Sequence, residues 1–502
     1  MMASSLSNGH ANGISAAPNG INGTNGPSHS SKPGFEDSLP VTTILSSWLP
    51  TLKTSILTPA IRSRLFDLIL DYIGISAAAA RTSESTPAII QAITSLNPLG
   101  PTLSSSTATI IASSLTHPPH LASLLNATLA HSLDFDDTHA PSTLHPGVTS
   151  ISTALACAEA FDPPPSNDQF LLAVCAAYEV TCRIGTELGF PAYSRGFHNT
   201  STAGIFGAIA AIAVLKSLPA TIIANAFGLA GSRAAGSMQY LDNGSHNKRL
   251  HPGFACHDAF MCVALAEADV IGATRIIEGK MGFLHAYSPN EDMDLNRLVA
   301  GLGKEWHFTA TALKPYPACR MTHGVIEAAG KLGRKYGSEE KVKKIEIRLR
   351  TANMSLVGEP TRNKIHPERE VDAQFSAYFQ CAHAWIYGSD EGVKAYTRLE
   401  DKEIYSLCDK IQCTTDDEHP ATQQMGSVLS VEIENGEVEV VEMPFPLGEV
   451  EHPFVREQVE KKFRSCVATV WDEKKQQQII QAIDGVCQGG KGAVKELMAL
   501  VA

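Results

Sequence analysis

The chain has 502 residues, 44% of them apolar and 18% charged, with a formal net charge of −12. That balance excludes an intrinsically disordered chain, and with no long Lys/Arg run it also excludes a nucleic-acid or membrane surface as the main partner. Eleven cysteines without a Cys-x-x-Cys pair point to reduced thiols rather than a disulfide framework or a zinc site. No apolar signal-like stretch opens the chain, and the longest apolar run, Ala203 to Leu215, is 13 residues, short for a bilayer. A cytoplasmic enzyme is the expectation.

Residues 1–38 are rich in Ser, Asn, Gly and Ala and are expected to be a disordered leader. From 39 to 311 helix formers dominate at helical spacing, as in Leu121, Leu125, Leu129 and Leu133. Breaks are expected at Gly100-Pro101 and Pro163-Pro-Pro. Between 312 and 445 the period changes to two. Ile345, Ile347 and Leu349 alternate with charged residues, and Leu429, Val431 and Ile433 are followed by Asn435-Gly436, then Val438 and Val440. Asn-Gly between two alternating runs predicts a hairpin, so this part reads as a smaller α+β domain. Helical spacing returns over 446–502 (Phe454, Val459, Phe463), a tail expected to pack on the first helical part. The fold class is mainly α: a large helical domain built from both chain ends, with a smaller α+β domain inserted.

Four polar islands interrupt this apolar background. They are His131 to His139 running on to His145-Pro-Gly, Arg195-Gly-Phe-His198, Asn247-Lys-Arg-Leu-His-Pro-Gly253, and Lys314-Pro-Tyr-Pro-Ala-Cys-Arg-Met-Thr-His323. A packed core tolerates so many ionisable groups only if they are paired or face a ligand. Asp134 and Thr138 share a helix face if the leucine-striped helix continues that far. Set against that is a solvated helix end at Asp134, Asp136 and Asp137. His198 precedes Asn199-Thr-Ser-Thr, which is suited to cap a helix whose amino terminus favours an anion. Lys248 and Arg249 open a further helix, and Lys314, Tyr316, Cys319 and Arg320 stand at the boundary between the two parts, a common place for a ligand pocket. Converging cations suit a small polycarboxylate.

In order and spacing, Leu133-Asp-Phe-Asp-Asp-Thr, His145-Pro-Gly, Gly196-Phe-His198, Asn247 to Gly253, Gly301-Leu-Gly with Trp306, and Lys314 to Arg320 resemble the MmgE/PrpD superfamily. The resemblance runs from about Thr42 to the end. It implies the two-part architecture above, a homodimer, and a lyase that needs no metal or organic cofactor. It also carries a catalytic set onto Asp134, His145, His198 and Lys248, and substrate contacts onto Thr138, Arg249, Lys314, Tyr316, Cys319 and Tyr378. In that reading His145 and His198 move protons, Asp134 orients His145, and the lysines neutralise carboxylate charge. Cys319 stands where some decarboxylases of the family have a His. Family members commonly place a pocket Tyr at the position of Phe379, with Tyr378 its neighbour here.

The reaction expected is dehydration of a citrate-type hydroxy tricarboxylate, 2-methylcitrate or a longer alkylcitrate, in a biosynthetic pathway. The alternatives are cis-aconitate decarboxylation to itaconate and a catalytically silent binding or scaffold role.

Overall fold

Helix begins where the apolar spacing begins, at Val41–Trp48. The computed structural model describes residues 39–96, 107–423, 425–489 and 493–502; the expected leader and the Gly100-Pro101 break lie outside the described residues. The Pro59–Thr82 helix starts with Pro at its first position and the Thr58 side chain accepting from Ile61 N–H, a capped start that satisfies an otherwise orphan donor. It then runs through the first core, with Leu65, Ile69 and Ile73 fully buried. The Pro119–His131, Gly147–Glu159, Asn167–Ser194, Gly204–Lys216 and Asn247–Glu267 helices pack around one another. They do so at close range. A Cβ on Gly253 would lie 2.5 Å from Thr128 Oγ1 and 2.7 Å from the Leu124 carbonyl, so glycine there lets the Asn247–Glu267 and Pro119–His131 helices touch.

The hydrophobic residues form two cores. The first draws on residues 41–313 and again on 459–501; the second draws on 316–443 together with Met238 and Tyr240. Chain order therefore does not separate them. The Arg456–Val467 and Glu473–Gln488 helices pack on Pro59–Thr82, and Ala493–Val501 packs on Gly147–Glu159. Asn199–Lys216 is long and apolar enough to cross a membrane by length and composition, and 89% of it is buried inside the fold, as in a core helix.

The second core is built on a four-stranded sheet of β1 (Val342–Leu349), β2 (Ile411–Thr415), β3 (Ser427–Ile433) and β4 (Val438–Met443), in the spatial order β2-β1-β3-β4. β1 and β2 are parallel and the other two pairings antiparallel. The His323–Tyr336 and Ala377–Tyr387 helices pack on each other and on this sheet. The hairpin turns at Asn435-Gly436, where Gly436 has φ +87° and its N–H donates to Ile433 O at 2.8 Å. Leu429, Val431 and Ile433 are buried, but Val438 and Val440 are 59% and 50% exposed. They sit opposite Glu432 and Ser430 on the outward face of an edge strand, so alternation in β4 does not mark a core face. The mainly α class holds.

Candidate active site

The leucine-striped helix stops at His131, three residues before Asp134. Asp134 then adopts φ +49°, a left-handed conformation that Asp tolerates better than most residues. Asp134 and Thr138 consequently do not share a helix face; they belong to a tight turn. Nor is it a solvated helix end: Asp134, Asp136 and Asp137 are 2%, 1% and 5% exposed.

Every residue of that turn has its own anchor. Asp134 takes the ammonium of Lys248 on one carboxylate oxygen, with Lys314 Nζ 3.2 Å from the same oxygen and donating to the Asp134 carbonyl at 2.8 Å. The Phe135 carbonyl accepts from Lys462 Nζ at 2.9 Å. Asp136 Oδ2 lies 2.7 Å from His131 Nδ1 and 3.1 Å from His145 Nδ1. Asp137 accepts from Gly147 N–H at 3.0 Å and from the Tyr178 hydroxyl at 2.7 Å. Thr138 exchanges two backbone hydrogen bonds with Ala312. The two bonds on Asp137 fix the His145-Pro146-Gly147 corner, where a Cβ on residue 147 would lie 2.5 Å from the Tyr178 hydroxyl.

A narrow cavity opens beside this turn, with room for water-sized spheres over about 50 Å³. Its walls include Asp134, Thr138, His145, Lys248, Lys314 and Cys319. These are six of the ten site positions read from the sequence. Lys248 and Lys314 are 5% and 0% exposed at the side chain. Each ammonium carries three donors, and the protein uses only some of them. Lys248 also stands 4.9 Å from the centre of the Phe375 ring, a cation–π contact at the cavity wall.

Electrostatics sort the groups. Burial pushes the Asp134 carboxyl up, but Lys248, Lys314 and His145 together outweigh it and hold the group ionised, well below the usual carboxylate range. Asp136 is likewise raised by burial and pulled lower by His131 and His145. Burial lowers His131 to about 4 despite Asp136, and it lowers His145, with Lys314 and Lys248 adding to the effect and Asp136 opposing it. His145 is therefore a neutral imidazole at pH 7, ready to accept a proton, with a carboxylate beside it to stabilise the cation formed. Burial also lowers the Lys314 ammonium and raises the Cys319 thiol, which stays protonated.

The geometry corrects several expectations. The carboxylate at His145 is Asp136; Asp134 lies 4.0 Å from His145 Nε2 and is held by the lysines. His198 is not on the cavity wall. Its Nδ1 is 3.0 Å from His251 Nδ1 and its ring is stacked 5.4 Å from His131; burial and these neighbours keep it neutral, so it is a poor proton carrier near pH 7. Asn199–Thr202 is itself a four-residue helix, and the Gly204–Lys216 helix that follows has Ala203 at its amino terminus and no side-chain cap; Thr200 Oγ1 accepts from His145 N–H and Ser201 donates to the His251 carbonyl. Those hydroxyls join the islands instead of receiving an anion.

Arg249 faces away from the cavity. It bonds Ser85 Oγ at 2.9 Å and Glu370 at 3.1 Å. Tyr316 packs against His323 in the second core. The Tyr378 hydroxyl donates to the Gly358 carbonyl at 2.9 Å. Phe379 is fully buried, stacked with His383 and Tyr396, and does not line the cavity either. The aromatic groups at the cavity are Phe375 and Tyr193. Tyr193, whose hydroxyl interacts with Tyr240, lies in the short helical piece after the kink at Gly189, just before the Arg195-Gly-Phe-His198 island, the signal that could have found it. His131 and Asp136 lie in the first polar island, and the signal that could have found them is two ionisable groups on either side of the apolar Leu133 and Phe135.

Among the described residues, His131, Asp136 and His145 form one group whose donor atoms lie within 4.8 Å of one another, as a metal would require. The 2.7 Å approach of His131 to Asp136 is a hydrogen-bond distance. Two ligands of a tetrahedral ion with bonds of 2.0–2.1 Å stand about 3.3 Å apart. The trio fits a hydrogen-bonded His131–Asp136 pair with His145 beside the carboxylate better than a metal site.

Two family models match the chain. That of the MmgE/PrpD N-terminal domain matches residues 43–296, and that of the MmgE/PrpD C-terminal domain matches 316–486. A cis-aconitate decarboxylase-like protein of Aspergillus oryzae is 25% identical over 479 residues, covering 92% of this chain and 97% of that protein. A cis-aconitate decarboxylase of Aspergillus terreus is 25% identical over 470 residues, covering 88% and 91%. The human cis-aconitate decarboxylase is 26% identical over 371 residues, covering 71% and 74%. With both family models matched in chain order, this chain belongs to the MmgE/PrpD family.

Proposed function

We propose that the protein is a lyase dehydrating a citrate-type hydroxy tricarboxylate, such as 2-methylcitrate or a longer alkylcitrate, in a biosynthetic pathway. One observation carries the reading. Two buried lysines meet at one carboxylate on the cavity wall, with donors to spare, and a neutral imidazole stands beside them. Substrate carboxylates take the remaining lysine donors. His145 removes the proton next to a carboxylate, Asp136 stabilises the resulting imidazolium, and the lysines neutralise the charge that builds up on that carboxylate. The C–O bond then breaks and its electron pair leaves with the hydroxyl. Lys314 supplies the proton for that group, because burial makes its ammonium more acidic than an exposed one.

Cis-aconitate decarboxylation is the second reading, favoured by the names of the relatives. The same lysines would stabilise the carbanion left by CO₂. Cys319, a protonated buried thiol, is a poorer proton donor than the His found there in some decarboxylases, which is why dehydration is placed first. A silent scaffold leaves the buried lysines without a purpose.

The test is an NMR time course with citrate, 2-methylcitrate, a longer alkylcitrate and cis-aconitate in D₂O. An alkene tricarboxylate from a hydroxy acid supports dehydration. Itaconate from cis-aconitate replaces it with the second reading, and turnover of none overturns both.

The reading includes a cytoplasmic homodimer. All eleven cysteines are free and buried, which accords with a reducing compartment. Phe254, Met261 and Leu265, at helical spacing on Asn247–Glu267, are 50%, 47% and 40% exposed, and Ile271 and Met281 later in the chain are 83% and 88% exposed. Exposed apolar side chains at helical spacing suit a second copy of the chain. Light scattering on wild type and Met261→Glu tests it, and a monomeric wild type overturns it.

A further inference from the structure

We propose that Lys462 and Asp71 are positioning residues of the active site, through which the Arg456–Val467 helix holds the peptide between Asp134 and Asp136. The inference rests on the reading of that turn as catalytic. Of the anchors on residues 134–138, the one on Phe135 alone comes from the far end of the sequence, 327 residues away. Lys462 is 6% exposed and Asp71 3%, their charged atoms are 2.6 Å apart, and the ammonium stands 3.9 Å from the centre of the Phe135 ring while donating to the Phe135 carbonyl.

Stability alone does not explain this arrangement. A buried ion pair adds little over well-packed apolar residues of similar size, because desolvating both ions offsets their attraction. What the pair does supply is a fixed, charge-assisted donor at one peptide oxygen. Along the chain, that oxygen belongs to the residue between Asp134 and Asp136. Moving it rotates the peptide planes on both sides, carrying Asp134 away from Lys314 and Asp136 away from His145, contacts now at 3.2 Å and 3.1 Å. Asp71 keeps the lysine from being an uncompensated buried charge.

The experiment compares two double variants, both free of the buried charges. Asp71→Asn/Lys462→Met removes the donor to Phe135, and Asp71→Asn/Lys462→Gln retains a neutral one. Single-site Lys462→Arg is the conservative control. Expected for the Met variant is a loss in kcat on the order of 10 to 100-fold, the scale of a 1 Å misplacement. Its KM stays within about threefold, and Gln and Arg recover most of the rate.

The titration of His145, followed by NMR on ¹⁵N-histidine-labelled protein, moves in the Met variant and returns towards wild type in the other two. That signal needs no substrate, so it decides the positioning role even if no citrate-type acid is turned over and the functional reading fails. Equal kcat and an unmoved His145 titration in the Met variant would overturn the proposal. So would equal losses in the Met, Gln and Arg variants, which would mark the pair as structural only.

Discussion

The Asp134–Thr138 turn and the start of the Ala377–Tyr387 helix both bury polar side chains, and they use them in opposite ways. In the turn, the Asp134 carboxylate takes the ammonium groups of Lys248 and Lys314, and the Asp136 carboxylate takes the imidazoles of His131 and His145. At the helix, Ser376 caps Phe379 N–H and the Tyr378 hydroxyl is satisfied by the Gly358 carbonyl. These neutral hydroxyls are satisfied by backbone groups and draw in no charged partner. Charge is what gathers the site, because an ion costs too much to bury unless it is paired, as Asp134 is with the lysines, or hydrogen-bonded, as Asp136 is with His131.

The largest expected effect lies on the charged side of this contrast. His145→Ala lowers kcat/KM by about 10²- to 10⁴-fold, the usual contribution of a general base, in the NMR assay above; full turnover in a folded variant breaks the assignment. In the wild type, His145 loses its role as a base when protonated, so activity falls as pH falls. Because its folded-state pKa is lowered, that acid limb lies below the ordinary imidazole value of 6.5. Next comes Arg249→Ala. It strands Glu370 and destabilises the fold by about 3 kcal/mol in denaturant melts, while KM stays within about threefold. A tenfold rise in KM would return Arg249 to the pocket.

Asp137 sharpens the comparison from within the turn, since it is a carboxylate served by neutral donors only. Burial, with Asp136 and Asp71 nearby, pushes it up to about 7 against Tyr178 and Gly147. The folded chain therefore keeps a proton that the unfolded chain releases between about pH 4 and 7, and this residue costs stability as pH rises through that window. Asp137→Asn gains on the order of 1 kcal/mol relative to wild type per pH unit across it, read from thermal melts at pH 5 and 8. A constant difference would show that Asp137 is ionised throughout.

The smallest effects belong to the neutral helix. Tyr378→Phe costs about 1 kcal/mol and leaves kcat within about twofold. Phe379→Tyr adds a hydroxyl to a filled core and confers no decarboxylation. A gain of itaconate formation would place that ring at the cavity after all.

Period and composition by themselves determined the mainly α class, the switch to strands after residue 312 and the turn at Asn435-Gly436, because these depend on neighbours within a few residues. The four islands and their residue types were legible for the same reason, and the resemblance built on them named the family. Tertiary structure alone decided which members face the cavity. It turned Arg249, Tyr316 and Tyr378 away, placed His198 behind His131, and substituted Asp136 for Asp134 at His145. It also brought Lys462 and Asp71 to Phe135. A side chain's direction depends on where its helix ends and which distant charge compensates it, and neither is local: the His131 helix stops short of Asp134, and the countercharges of Asp134 come from positions 248 and 314.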